Sequence, residues 1–266
     1  MKGEIYIGEN KHYINFAKGL DISIPLIFNG NQPNTYGVDK ATSKPYRDGQ
    51  FVGDTRLGGP CNFEVYNFTP HCNGTHTECI GHITTERFDI LSSLKDTMIP
   101  AHLISIDPVS TSENYNPKLN DEDLVITKEK LVEKLKDIPK VYLEGLIIRT
   151  LPNNQRKKSQ DYMEIQPAFF SIDAMEYIKE LGVKHLLVDT PSVDRLFDDG
   201  ILSAHNIFWD TLDKEYNPKT KHKTITEMIF VDDNISDGNY LLTIQIPAFI
   251  ADAAPSRPII FQINER

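Results

Sequence analysis

The stretch SIDAMEYIKELGVKHLLVDTPSVD, from Ser171 to Asp194, constrains the fold more tightly than any other part of the chain. Ser171 is placed to cap a helix and Gly182 to end it, and Val183 to Val188 supply an apolar strand. Helix, glycine turn and strand in that order are the building unit of an α/β protein. Further strands are expected in GLDISIPLIF, CNFEVYNF, AHLISIDPV, YLEGLIIRT, EMIFVDD and YLLTIQIPAF. A charged helix carries Leu131 and Leu135 on one face, a short helix is expected in FDILSSLKDTMI, and another includes LSAHNIFWDTL. Residues Asn29 to Pro60 are rich in Gly, Pro and Asn and read as a long irregular segment able to cover a site.

A chain of 266 residues can bury a substantial core, and one domain spanning 1–266 is expected. The formal charge of −10 disfavours attraction to nucleic acid or anionic membranes. The basic run RKK at 156–158 reads as a solvated surface, with an anion site as its alternative. The opening MKGEIYIGENKHYINF lacks the apolar core of a signal peptide, and no apolar run approaches the length of a membrane span. Three cysteines cannot all pair within one chain, so free or metal-bound thiols in the cytoplasm are expected.

The chemistry concentrates in HCNGTHTECIGH, from His71 to His82. Extended backbone from Cys72 onward would align Cys72, Gly74, His76 and Glu78 on one face. His71 has the opposite parity, and a bulge would bring it back. Gly81 permits a turn that presents His82 as a separate proton carrier. Nitrogen, oxygen and sulfur donors suit zinc, with manganese as the alternative; calcium prefers an oxygen-rich shell. The competing reading is a hydrogen-bonded strand and turn with two buried thiols. His205 and Glu227 are distant candidates to complete the shell; spacing alone leaves them equally an ordinary helix residue and a surface carboxylate. Ser192 lies outside any GxSxG elbow, and no GxGxxG fingerprint is present.

At these residues the chain resembles the putative cyclase family of metal-dependent hydrolases, which includes bacterial kynurenine formamidases. The family pattern HxGTHxDxPxH aligns with CNGTHTECIGH, retaining Gly74, Thr75, His76 and His82. Cys72 stands at the family's first histidine, Glu78 at its aspartate and Ile80 at its proline. DISIPL, LIIRT, VDTPSVD, LSAHNIF and IPAFIADAAPSRPI extend the likeness along the chain. The resemblance implies an α/β domain with a mixed sheet curled into a barrel-like core, assembled as a homodimer or homotetramer. It implies one or two zinc ions held by Cys72, His76, Glu78, His205 and Glu227, with His82 as the acid/base. Cys72 keeps the spacing and parity of the pattern; His71 is the alternative first ligand.

The reaction so implied is hydrolysis of a small amide, formamide, cyclic amide or lactone by metal-activated water. The alternative function is a noncatalytic metal-binding or sensory protein. Tyr36, Tyr46 and Phe51 are candidates to line a cover over an aromatic substrate, and otherwise pack locally. Arg149 and Arg257 either bind a substrate carboxylate or make structural ion pairs.

Overall fold

The computed structural model describes residues 1–264. Eleven strands form one mixed sheet. In chain order they are β1 (Lys2–Ile7), β2 (Asn10–Asn15), β3 (Leu20–Asp21), β4 (His76–Cys79), β5 (Ile99–Ile106) and β6 (Gly145–Thr150). They continue with β7 (His185–Val188), β8 (Thr224–Glu227), β9 (Gly238–Gln245), β10 (Ala253–Pro255) and β11 (Arg257–Asn264). The order across the sheet is β1-β2-β11-β9-β5-β6-β7-β8-β4-β10, with β3 also pairing β11. Strands β5 to β8 are mutually parallel, and the pairings flanking them are antiparallel. The mixed sheet expected from the resemblance is present, and its pairing path has β1 and β10 as its ends, with no ladder closing it into a barrel among the described residues.

The parallel strands are buried on both faces, which explains their continuous apolar sequence. Leu146 and Ile148 of β6, with Leu186 and Val188 of β7, point to a core shared with the helices α3 (Lys128–Leu135), α4 (Ile172–Leu181) and α5 (Ser203–Trp209). Ile147 and Leu187, the alternate residues, join Leu103, Tyr240, Leu242 and Ile260 in a second core on the opposite face. The expected helix over 171–182 forms as read. The Ser171 hydroxyl accepts from the Ala174 amide, and Gly182 closes the helix at φ 82°. The short helix in FDILSSLKDTMI is α2 (Ile90–Ser93).

Three local expectations are corrected. GLDISIPLIF contributes only β3 and an isolated bridge from Ser23 to Ile229, because Asp21 Oδ1 takes the Ser23 amide and hydroxyl in a local turn that competes with the ladder. Of EMIFVDD only Glu227 belongs to a strand; Met228 turns the chain at φ 53°. The backbone at Cys72 is helical, in the single turn α1 (Pro70–Asn73), so the extended alignment begins at His76. Pro70 stands at the first turn of α1, where its missing N–H costs nothing.

Candidate metal centre and active site

Strands β4 and β8 run antiparallel with His76 opposite Glu227 and Ile225 opposite Glu78. Since side chains alternate, His76, Glu78 and Glu227 share one face, and Thr77 and Thr226 meet through their hydroxyls at 2.8 Å on the other. Met228 then takes the left-handed conformation, a strain of roughly 1–3 kcal/mol for a residue with a side chain. It is held there by its own amide on the Thr190 carbonyl and by the Thr75 hydroxyl, which donates to the Met228 carbonyl. The strained turn lets β8 stop with Glu227 facing the site. Past β4, Gly81 is required because a Cβ would lie 2.2 Å from the Phe88 carbonyl oxygen. The resulting single turn swings His82 back over Glu78.

Two imidazoles approach these carboxylates with their tautomers fixed. The ring Nδ1 of His76 is 3.0 Å from the Gly74 carbonyl oxygen, which can only accept, so Nδ1 carries the proton. Its Nε2 is buried without a hydrogen-bond partner and lies 3.5 Å from Glu227 Oε2. His205, on α5, repeats the arrangement. Asp194 Oδ2 accepts from His205 Nδ1 at 2.6 Å, while His205 Nε2 meets Glu78 Oε1 at 3.0 Å and Glu227 Oε1 at 3.7 Å. Asp194 also accepts from the backbone amides of Ala204 and His205 and from the Tyr115 hydroxyl, so it caps α5 and orients its histidine together. Glu227 Oε1 accepts the Val193 amide.

His71 reaches the same centre from α1. Its Nδ1 lies 3.0 Å from Glu78 Oε2 and its Nε2 2.9 Å from Asp252 Oδ2. The His82 ring stacks on His71 at 4.3 Å, with Nδ1 3.5 Å from Asp252 Oδ2 and Nε2 3.9 Å from Glu78 Oε2. Asp252 immediately precedes β10, which pairs with β4.

The imidazoles and carboxylates set one another's charge. Burial opposes protonation of His71, but hydrogen bonds to Asp252 and Glu78 outweigh it and raise its pKa to about 10. His205 is raised likewise, burial being overcome by Asp194 and Glu78. Burial would raise Glu78; His82, His205 and His71 instead hold it well below the usual carboxylate range. Hydrogen bonds from His71 and His82 depress Asp252.

These donors fit a divalent transition ion. His76 Nε2 faces Glu227 without a hydrogen-bond partner, and His205 Nε2 faces Glu78, so a cation that displaces the His205 Nε2 proton would be shared by both imidazoles and both carboxylates. Groups of three with ligand atoms within 4.8 Å of one another comprise His71, His76 and Glu78; Glu78, His82 and His205; and His71, His82 and Asp252. Of the residues singled out in the sequence, His76, Glu78, His82, His205 and Glu227 come together. Cys72 belongs to none of these groups among the described residues, and His71 occupies the position beside Glu78 instead. The helical turn at Pro70–Asn73 is the reason: it removes the extended parity that favoured Cys72. Cys72 lines the same cavity as His71, Glu78, His82, His205 and Glu227, and burial and the Glu227 charge push its thiol up to about 11. Asp194 and Asp252 also reach the centre, and in the sequence each is marked only as a carboxylate next to a turn.

The centre opens into a cavity of about 510 Å³ whose wall includes Tyr36, Leu196 and Phe197. Tyr46 and Phe51 do not line it; both pack on Phe63. Arg149 and Arg257 make structural ion pairs with Asp237 and Asp21.

Bacillus anthracis kynurenine formamidase is 28% identical over 126 residues, covering 47% of this chain and 54% of the relative. The counterpart from Bacillus thuringiensis strain Al Hakam gives the same identity and coverage. The match thus spans about half the length of the curated relatives. Among solved structures, a potential metal-dependent hydrolase with cyclase activity superposes with a TM-score of 0.60 at 17% identity, covering 94% of this chain and 99% of that one. An isatin hydrolase bound to the product analogue thioisatinate gives 0.65 at 13% identity, with 93% of each chain covered. These likenesses establish a shared fold. The family model described as "Putative cyclase" matches residues 20–195, and with the sheet and the histidine–carboxylate centre in place, the chain belongs to that cyclase family.

Proposed function

We propose that the protein is a metal-dependent hydrolase of a small amide, formamide, cyclic amide or lactone. The observation that carries this reading is the pair of imidazoles, His76 and His205, whose Nδ1 protons are committed to acceptors while Nε2 faces buried carboxylates beside an open cavity. His71, His76, Glu78, His205 and Glu227 would hold the ion or ions, with Asp252 available from the His71 side. Cys72 then forms cavity wall. Zinc suits this nitrogen and oxygen set, and manganese is the alternative. Bound there, a divalent ion lowers the pKa of water and polarises a carbonyl.

The chain's own groups supply the rest. Asp252 Oδ2 lies 3.5 Å from His82 Nδ1, a placement that favours the proton there and Nε2 as the atom that would accept a proton from the attacking water. The same atom returns that proton to the departing amine or alkoxide. Asp194 keeps His205 in one tautomer throughout. Glu78, shared among His71, His82 and His205, holds the three rings in mutual register.

The reading takes residues 1–266 as one unit, supported by a sheet that draws β1 and β11 from opposite ends of the chain. It takes a small molecule as the substrate and a homodimer or homotetramer as the assembly, to be checked by light scattering. Among the described residues no helix is long and apolar enough to cross a membrane; a cytoplasmic location is part of the proposal. The deciding experiment measures bound metal and turnover of formanilides, cyclic imides and lactones before chelation, after it, and after zinc or manganese is restored. Turnover that tracks metal content is expected. Hydrolysis that survives complete metal removal would overturn the mechanism, and a metal-loaded protein inert to the whole panel would favour a binding or sensory role.

A further inference from the structure

The cavity beside the centre has a charge pattern of its own. Away from the histidines its wall is apolar, with Pro191, Leu196, Leu202 and the edge-to-face pair Tyr36 and Phe197, whose rings are 6.4 Å apart at 78°. Phe197 is 60% exposed and Tyr36 43% exposed, so both stand at the mouth, available to a flat ring. The charged groups completing this side are Asp198 and Asp199. Asp198 is buried and accepts the Gly200 and Leu202 amides, and Asp199 is exposed on the rim at φ 59°.

No lysine or arginine lines the cavity among the described residues. The nearby cations in sequence are engaged elsewhere. Arg195 pairs with Asp123, Lys157 pairs with Asp189, and Lys158 lies over the Phe230 ring at 4.1 Å. The cationic histidines lie at the reacting end, so a carboxylate at the opposite end of a substrate would meet Asp198, Asp199 and apolar wall, at a cost set by desolvation and like-charge repulsion.

We infer that the substrate is an aryl amide, imide or lactone that is neutral or cationic at the end remote from its reacting carbonyl. This rests on the hydrolase reading above and deepens it. The Tyr36 and Phe197 rings take the aromatic body, and Asp198 and Asp199 reject an anionic substituent while favouring an ammonium.

Three matched probes test the inference: formanilide, its 4-carboxylate and its 4-aminomethyl derivative. Each is titrated into the zinc-loaded protein by calorimetry, with kcat/KM measured in parallel. The neutral and cationic probes should bind more tightly than the carboxylate by about tenfold or more, and Asp199→Lys should narrow the gap by about threefold or more. Added salt should narrow it in the same direction. Equal binding of all three, preference for the carboxylate, or no measurable binding of any would overturn the inference. The two readings separate cleanly. Turnover of all three with no charge preference leaves the hydrolase reading standing and removes this one; the expected order of binding without turnover does the reverse.

Discussion

Asp189 and Glu227 stand at the ends of neighbouring parallel strands, both buried, and the protein treats them in opposite ways. Asp189 follows β7 and is 1% exposed. It receives the Thr150 amide, the Thr150 hydroxyl and the Lys157 ammonium, each within 2.9 Å. Lys157 also donates to the Thr150 carbonyl and hydroxyl, so the RKK run contributes a buried brace. Glu227 ends β8 and is 4% exposed, yet its partners are one backbone amide and two imidazole nitrogens at 3.5 and 3.7 Å. No lysine or arginine pairs with it among the described residues. A carboxylate given every donor it can use is built to stay as it is. One that faces two imidazoles at 3.5 and 3.7 Å with a single backbone donor is short of donors, which is the basis on which it is proposed to share a cation.

Removing the countercharge at each end sharpens this contrast most. Lys157→Met should cost about 3–5 kcal/mol in urea unfolding, because it removes the cationic partner of the buried Asp189 and leaves it only the two Thr150 donors. Glu227→Gln in the metal-free protein should change stability by about 1 kcal/mol or less, while eliminating most metal retention. Equal losses of stability in the two variants would break the comparison. Next in size is Asp194→Asn. It should weaken metal affinity by roughly 10–100-fold through loss of the His205 tautomer, as read by competition with a chromogenic chelator. The thermal midpoint of its metal-free form controls for simple loss of the α5 cap.

A third variant pair separates ligands from wall. His71→Ala should lower bound zinc per chain substantially, whereas Cys72→Ala should retain it and lose only packing, about 1–2 kcal/mol. The reverse result would return Cys72 to the ligand set. The smallest effect is expected at His185, whose ring nitrogens meet the Thr224 hydroxyl at 2.9 Å and the Asp96 carboxylate at 3.1 Å. Burial lowers its pKa below 6.5 despite Asp96. The unfolded chain therefore binds this proton more readily, and stability is full above the unfolded value and erodes as pH falls through it. Between about pH 8 and about pH 5.5, His185→Gln should flatten part of that decline in urea midpoints. An identical slope in both proteins would show that His185 is not a source of it.

Much of this was legible from residue order. The cap at Ser171 and the stop at Gly182 depend on contacts within a few residues, and both appear as read. His76, Glu78 and His82 lie close enough in sequence for strand alternation and a glycine turn to gather them. His205 and Glu227 were reachable only through resemblance, since long-range pairing carries no local signal. The extended alignment expected at Cys72 does not form because Pro70 starts a helical turn, and that turn places the adjacent His71 beside Glu78. Asp252 was hidden for a related reason. Its place is set by β10 pairing with β4, and its segment offers no periodic pattern to announce a strand only three residues long.

The hydroxyl contact between Thr77 and Thr226 has a consequence beyond holding two strands together. Sliding β8 by one residue against β4 would put Glu227 on the face now occupied by threonine and carry Thr226 toward the histidines. The same slip would turn Ile225 out of the core that it shares with the helices, so packing and the histidine–carboxylate geometry select one and the same strand alignment.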